Sequence, residues 1–184
     1  TPLFQASGFK VIAEAAAAGA VRAIKAPGPF SRAEVDRLGE SAKAMGASMV
    51  QLKPYFASGA IKSKGTFIIG TVKGDLHDIG KNLVSMMVEG GGWIIVDLGV
   101  DVGSDRFIEA LKNNPGAVVG LSALLTTTMV NMGDIVSGIK AHVPDTKVLI
   151  GGAPVNADFC KSIGADFYAP DPQKAVEYLN KLAS

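Results

Sequence analysis

From Thr66 onward, short apolar runs alternate with segments of helical spacing. Thr66–Thr71 is a continuous apolar, β-rich run, the mark of a strand covered on both faces. Ile79–Val88 follows, with Ile79, Leu83, Met86 and Met87 at helical spacing. Trp93–Val96, Ala117–Leu121 and Lys147–Ile150 repeat the strand signal, and Asp166–Ala169 gives a shorter one. Asp105–Leu111, Met129–Ala141, Val155–Ile163 and Gln173–Leu182 read as the intervening helices. In the second of these, Met129, Met132, Ile135, Val136 and Ile139 share one stripe. Apolar strands alternating with helices predict an α/β fold, a doubly wound (Rossmann or flavodoxin-like) parallel five-stranded sheet. Its ligands belong at the carboxyl ends of the strands, in the strand-to-helix loops.

Residues 1–62 read differently. They are Ala-rich and show no strand pattern. Ile12–Ile24 and Ser31–Leu52 both have helical spacing, the second opened by a capping box of Ser31 and Glu34. Ala26–Pro29 breaks the two apart, and Tyr55–Lys64 reads as a linker. The expected organisation is a small helical cap with its linker over 1–62, then a ligand-binding domain over 63–184.

Bulk properties narrow the function. Hydrophobic residues make up 48% of the 184 residues, enough for a sizeable core. A net charge of +1, with no basic stripe, gives no reason to expect nucleic acid. No apolar run is long enough to span a membrane. The start of the chain lacks the pattern of a signal peptide, and Cys160 is the single cysteine. Both point to a reducing cytoplasm.

The loop after the first strand holds the candidate chemistry. It runs Gly70-Thr71-Val72-Lys73-Gly74-Asp75-Leu76-His77-Asp78-Ile79-Gly80. His77 can bind a transition metal through one ring nitrogen. Asp75, two residues away, can hold the other nitrogen, fixing the tautomer and raising basicity. Gly74 and Gly80 bracket the pair and would let a flat, bulky ligand approach the backbone. Two histidines and one cysteine are too few for a zinc site of about four ligands. A metal already held by a macrocycle, needing one axial ligand from protein, fits a lone imidazole better. The third strand ends in Ser122-Ala123-Leu124-Leu125-Thr126-Thr127-Thr128, a hydroxyl-rich wall, and the fourth in Gly151-Gly152-Ala153. The fold brings all three segments to one sheet edge.

Asp78 competes with Asp75 as the partner of His77, but its position before Ile79 suits a helix cap. Lys73 and Lys81 read as solvated, and His142 as a surface residue at a helix end. Cys160 reads as a small buried hydrophobe, and Met86, Met87, Met129 and Met132 as core. Thr126–Thr128 are read as a cofactor contact, against a plain helix start.

Asp75-x-His77-x-x-Gly80, then 41 residues, Ser122-x-Leu124, then 26 residues, and Gly151-Gly152 resembles the cobalamin-binding signature. That signature is shared by methionine synthase, the mutases and small corrinoid proteins. Thr71–Asn82 is similar to the methyl-carrier branch in particular. The resemblance spans residues 53–184. It implies that His77 is the lower axial ligand of cobalt, with the cofactor's own base displaced, and that Asp75 holds its other nitrogen. Thr128 stands where methionine synthase has a serine. Ser122 would meet the buried base, Leu124 line its slot, and Gly151, Gly152 and Ala153 admit the nucleotide tail. Gly74, Asp78, Ile79, Gly80 and Thr126 complete the expected cofactor contacts.

The resemblance further implies a methyl carrier using methylcobalamin or a related corrinoid. Its partners would be a substrate-specific methyltransferase, a second methyltransferase to the acceptor and a reductive activator. The donor would be a methoxylated aromatic, methanol, a methylamine or a betaine; the acceptor, tetrahydrofolate or coenzyme M. Such a chain would not turn over alone. The alternatives are the cobalamin-binding subunit of a mutase, a cobalamin-sensing regulator, or a nucleotide-binding domain without cobalt.

Overall fold

In the computed structural model, which describes residues 63–183, every strand sorts its side chains between two cores. Strand β1 is Thr66–Thr71. It sends Ile68 to one face and Phe67 and Ile69 to the other, all buried. β3 (Val118–Ser122) and β4 (Val148–Gly151) alternate in the same way. Val119, Leu121, Val148 and Ile150 join Ile68, while Val118 and Leu149 join Phe67. Each side chain buried this fully contributes roughly 1.5–3 kcal/mol. Two apolar faces demand cover on both, and the helices between the strands supply it.

Those helices are α1 (Ile79–Gly90), α2 (Ser104–Asn113), the single turn α3 (Thr126–Met129), α4 (Asn131–His142), α5 (Ala157–Ser162) and α6 (Pro172–Leu182). α2, α4 and α5 pack the Ile68 face, through Phe107, Leu111, Ile135, Ile139 and Cys160. α1 and α6 pack the Phe67 face, through Val88, Ala175 and Leu179. With β2 (Ile94–Asp97) and β5 (Phe167–Tyr168), the sheet has five parallel strands in the order β2-β1-β3-β4-β5. The predicted doubly wound α/β fold is therefore observed. From β1 the chain goes to one side, then crosses back to β3 on the other. The crevice of such a sheet opens at that reversal, beyond the carboxyl ends of β1 and β3.

Element boundaries moved where side chains cap. Asn156 accepts the Phe159 amide at 2.8 Å, so α5 begins at Ala157 and not at Val155. Asp171 accepts the Lys174 amide at 2.9 Å and starts α6 with Pro172 in its first turn. The helix expected over Met129–Ala141 begins at Asn131, with α3 standing before it as a separate turn. The proposed helices Ile12–Ile24 and Ser31–Leu52, and nearly all of the linker Tyr55–Lys64, lie outside the described residues. No described helix is long and apolar enough to cross a membrane.

Candidate functional site

Asp75 is fully buried at the crevice, and both its oxygens are occupied. Oδ1 accepts the His77 amide at 3.0 Å and lies 2.7 Å from His77 Nδ1. Oδ2 accepts the Thr128 hydroxyl at 2.6 Å and the Leu124 amide at 2.8 Å, with the Leu125 amide at 3.4 Å. Burial alone pushes the Asp75 carboxyl up. The hydrogen bonds from Thr128, Leu124 and His77 outweigh it and hold the group well below the usual carboxylate range. Asp75 is therefore ionised and can only accept. The short contact to His77 must be an Nδ1–H donating to Oδ1. In the neutral imidazole this leaves the lone pair on Nε2, and the His77 side chain is 51% exposed. The geometry is that of a ligand held in one tautomer by a carboxylate. Among the described residues, no group of three or more His, Cys, Asp or Glu side chains is placed to hold a bare metal ion.

The three expected participants, Asp75, His77 and Thr128, thus meet. The buried Thr71 adds a fourth contact, its hydroxyl donating to the His77 carbonyl at 2.8 Å. Asp78 does not compete for the ring. Its carboxylate takes the Asn82 side-chain amide at 3.0 Å, while its carbonyl accepts the Asn82 backbone N–H at 2.8 Å. The helix-start reading thus holds for its backbone, while its side chain grips Asn82's side chain.

A cavity of about 320 Å³ opens beside this cluster, on the Phe67 face. Of the expected contacts, Gly80, Ser122, Gly151, Gly152 and Ala153 line it. Gly152 has φ +125°, and a Cβ there would come within 1.8 Å of the Ala123 carbonyl. Only glycine lets the end of β4 pass that close. Leu124 stands outside the cavity. Its side chain is exposed and its contribution is the amide on Asp75, so the expectation that it lines a slot does not match its placement. Thr126 is exposed on α3. Gly74 has φ +82°, and a Cβ built there would meet Thr128 Cγ2 and Asn131 Nδ2 at 3.7 and 3.9 Å.

Sequence reasoning missed several participants. Lys81 was expected in solvent, yet it is 2% exposed, lines the cavity, and pairs with Asp97 and Asn82. Its aliphatic stem does the lining while the ammonium finds a partner, which a charged letter in a sequence does not reveal. Tyr168 and Pro170 close the cavity from the β5 side. Asp101 and Asn131 hold the Lys73–Gly74 turn, by bonds of 2.7 Å each. His142 is on the surface, with Nδ1 2.8 Å from the Gly138 carbonyl, and Cys160 is buried, as expected. Met87 and Met132 are core, whereas Met86 and Met129 are only partly covered.

These residues suit a large cofactor with one open axial position. Among the described residues, the hydrogen bonds of the His77 ring involve Nδ1 and not Nε2. Leu76 and Ile79, on either side of it in sequence, are 71% and 85% exposed. A Cβ built on Gly80 would have nothing within 4 Å, so the cavity wall there is open space. The B12 binding domain family matches residues 65–177. The chain belongs to that family. Its cofactor is a corrinoid.

Relatives of this B12-binding chain carry the cofactor in their names. A corrinoid protein of Desulfitobacterium hafniense is 37% identical over 77% of this chain and 68% of its own length. Dimethylamine corrinoid protein 3 of Methanosarcina mazei is 40% identical over 77% of this chain and 87% of its own. The crystal structure of the methanol:cobalamin methyltransferase complex of Methanosarcina barkeri superposes with a TM-score of 0.71, at 29% identity. It matches 80% of this chain and 57% of that one.

Proposed function

We propose that this B12-binding chain is a methyl carrier, with Nε2 of His77 as the lower axial ligand of cobalt. The observation that carries the proposal is the 2.7 Å contact of Asp75 with His77 Nδ1, which aims the opposite nitrogen outward. When bound, the corrinoid supplies a cobalt centre that accepts a methyl group from one partner and yields it to another. The chain's own residues do the rest. Asp75 keeps a proton on Nδ1 and stabilises any positive charge on the ring. Thr128 and the Leu124 amide keep that carboxylate ionised. Ser122, Gly151, Gly152 and Ala153, which line the cavity, would hold the cofactor's base and nucleotide tail. Thr126, Asp78 and Ile79 are proposed as further cofactor contacts.

The relatives' names favour this reading over a mutase subunit or a regulator, and favour a methylated amine as donor. A substrate-specific methyltransferase would deliver the methyl group. A second methyltransferase would pass it to tetrahydrofolate or coenzyme M, and a reductive activator would maintain the cofactor. The chain is proposed to need these partners for turnover.

Electron paramagnetic resonance of the cobalt(II) holoprotein tests the ligand. His77→Ala should remove the axial-nitrogen splitting while corrinoid binding through the tail survives. Nitrogen splitting that persists in the variant would overturn the assignment. Reduced holoprotein mixed with methylamines should keep its absorption spectrum until the cognate methyltransferase is added. Rapid demethylation by the purified chain alone would rule out the carrier reading.

A further inference from the structure

Asp75 serves the site only if its oxygens face opposite ways, one to His77 and the other to Thr128 and Leu124. Its own backbone must therefore be held. Asp101, on the loop between β2 and α2, grips that backbone twice. Its Oδ1 accepts the Gly74 amide at 2.7 Å, and its N–H donates to the Asp75 carbonyl at 3.0 Å. Gly74 has φ +82°. Asp101 has φ +54°, the one positive φ of a non-glycine residue among the described residues. Aspartate tolerates the left-handed region better than most residues, but the conformation still costs free energy. Such strain persists where surrounding bonds over-determine it, and it gathers at functional sites.

The bonds are not needed to dock the loop on the sheet. Val102 N–H donates to the Thr71 carbonyl and Thr71 N–H to the Gly99 carbonyl, both at 2.9 Å, and Val72 bridges Val102. Nor does Asp101 contribute to the core, since its side chain is exposed. What its two bonds do is orient the turn that carries Asp75.

We infer that Asp101 is a positioning residue for the cobalt ligand, acting through Gly74 and Asp75 on His77. This rests on the reading of His77 given above. The β2–α2 loop then belongs to the ligand's support, although it contributes no atom to the imidazole or the cavity.

Two variants of the full chain separate the side-chain bond from the backbone strain. Asp101→Gly relieves the strain and removes the acceptor. Asp101→Asn keeps both an acceptor and tolerance of positive φ. The first readout is amide hydrogen exchange of the apoprotein at Gly74 and Leu124, because the Leu124 amide bonds to Asp75 Oδ2 at 2.8 Å. The second is the fraction of cobalt(II) holoprotein that shows axial-nitrogen splitting. In Asp101→Gly, exchange at both amides should quicken, at Leu124 by roughly 10-fold. The imidazole-bound equilibrium should weaken by roughly 10-fold, the lower end for groups supporting a ligand from outside. Asp101→Asn should restore both. Faster exchange at Gly74 alone, with Leu124 and the nitrogen splitting unchanged, would overturn the inference. So would Asp101→Asn behaving like Asp101→Gly. Wild-type holoprotein without nitrogen splitting would overturn the His77 ligation reading itself, while Leu124 exchange would still report whether Asp101 orients Asp75.

Discussion

Two aspartates, each surrounded by hydrogen bonds, stand at opposite ends of the same sheet, and their partners differ in kind. Asp166 lies at the amino ends of β4 and β5. It meets Lys140 at 2.7 Å, the Val148 amide at 2.9 Å and Lys147 at 3.2 Å. Asp75 lies beyond the carboxyl end of β1 and meets three amides, a hydroxyl and one imidazole. Burial pushes both carboxyls up, and in both cases the hydrogen bonds win and hold the group low. Asp166 is offset by fixed cations at a closed end, so its ionisation serves the fold. Asp75 is held low mainly by neutral donors, and one of its oxygens holds the Nδ1 side of a half-exposed imidazole. Its charge is therefore available to the crevice.

Substitutions can break that contrast. Asp166→Ala removes the side-chain acceptor of the Val148 amide and leaves Lys140 its bond to the Thr146 carbonyl. It should cost about 1–2 kcal/mol in chemical denaturation, since the pair is only half-buried and one amide loses its acceptor. Cobalt ligation should be unchanged. The variant should also lose acid lability. The folded pKa of Asp166 lies below its unfolded value, so its stabilisation is complete above roughly pH 3.9 and is lost as pH falls through the folded value. A denaturation series from pH 6 downward should be shallower in the variant. A matching loss of nitrogen splitting would show that the two ends are not independent.

Asp75→Asn should do the reverse. It turns an amide group toward donors that need an acceptor, and weakens imidazole ligation by roughly 10- to 100-fold. Titration of the apoprotein with cobalamin, followed by cobalt(II) resonance, reads it. If Asp78→Asn perturbed the resonance more, the wrong carboxylate would have been assigned. The smallest effect belongs to Thr128. Thr128→Ala removes one of the donors on Oδ2 and should destabilise by about 1 kcal/mol, with a modest shift in ligation. Thr128→Ser keeps the hydroxyl and should be nearly silent in both measurements.

Much of the site was legible because it is local or tied to strand ends. Asp75 and His77 are two residues apart, and the loop after the first strand is where a doubly wound sheet puts its ligand. The hydroxyl of Thr128 was legible only through the spacing of the cobalamin signature, since 53 residues separate it from Asp75. Asp101, Asn131 and the Lys81–Asp97 pair gave no comparable signal. Each is a common polar residue whose role depends on which backbone group the fold sets against it. The Leu124 amide, which donates to Asp75, was likewise invisible in the sequence, because a backbone group carries no letter of its own.

The sequence by itself determined the alternation of strands and helices, the parallel two-faced sheet, and the edge at which a ligand must lie. Those follow from periodicity and from the need to bury both faces of apolar strands. It also determined that one imidazole with a nearby carboxylate is the candidate metal ligand. Only the tertiary structure showed that Asp75, preferred over Asp78 from the sequence, meets the ring at Nδ1. It alone placed Lys81 in the cavity wall and Asp101 on the Gly74 turn. Hydrogen bonds reach only about 3 Å and demand direction. Those choices exist only once the crossovers have carried distant loops to one sheet edge.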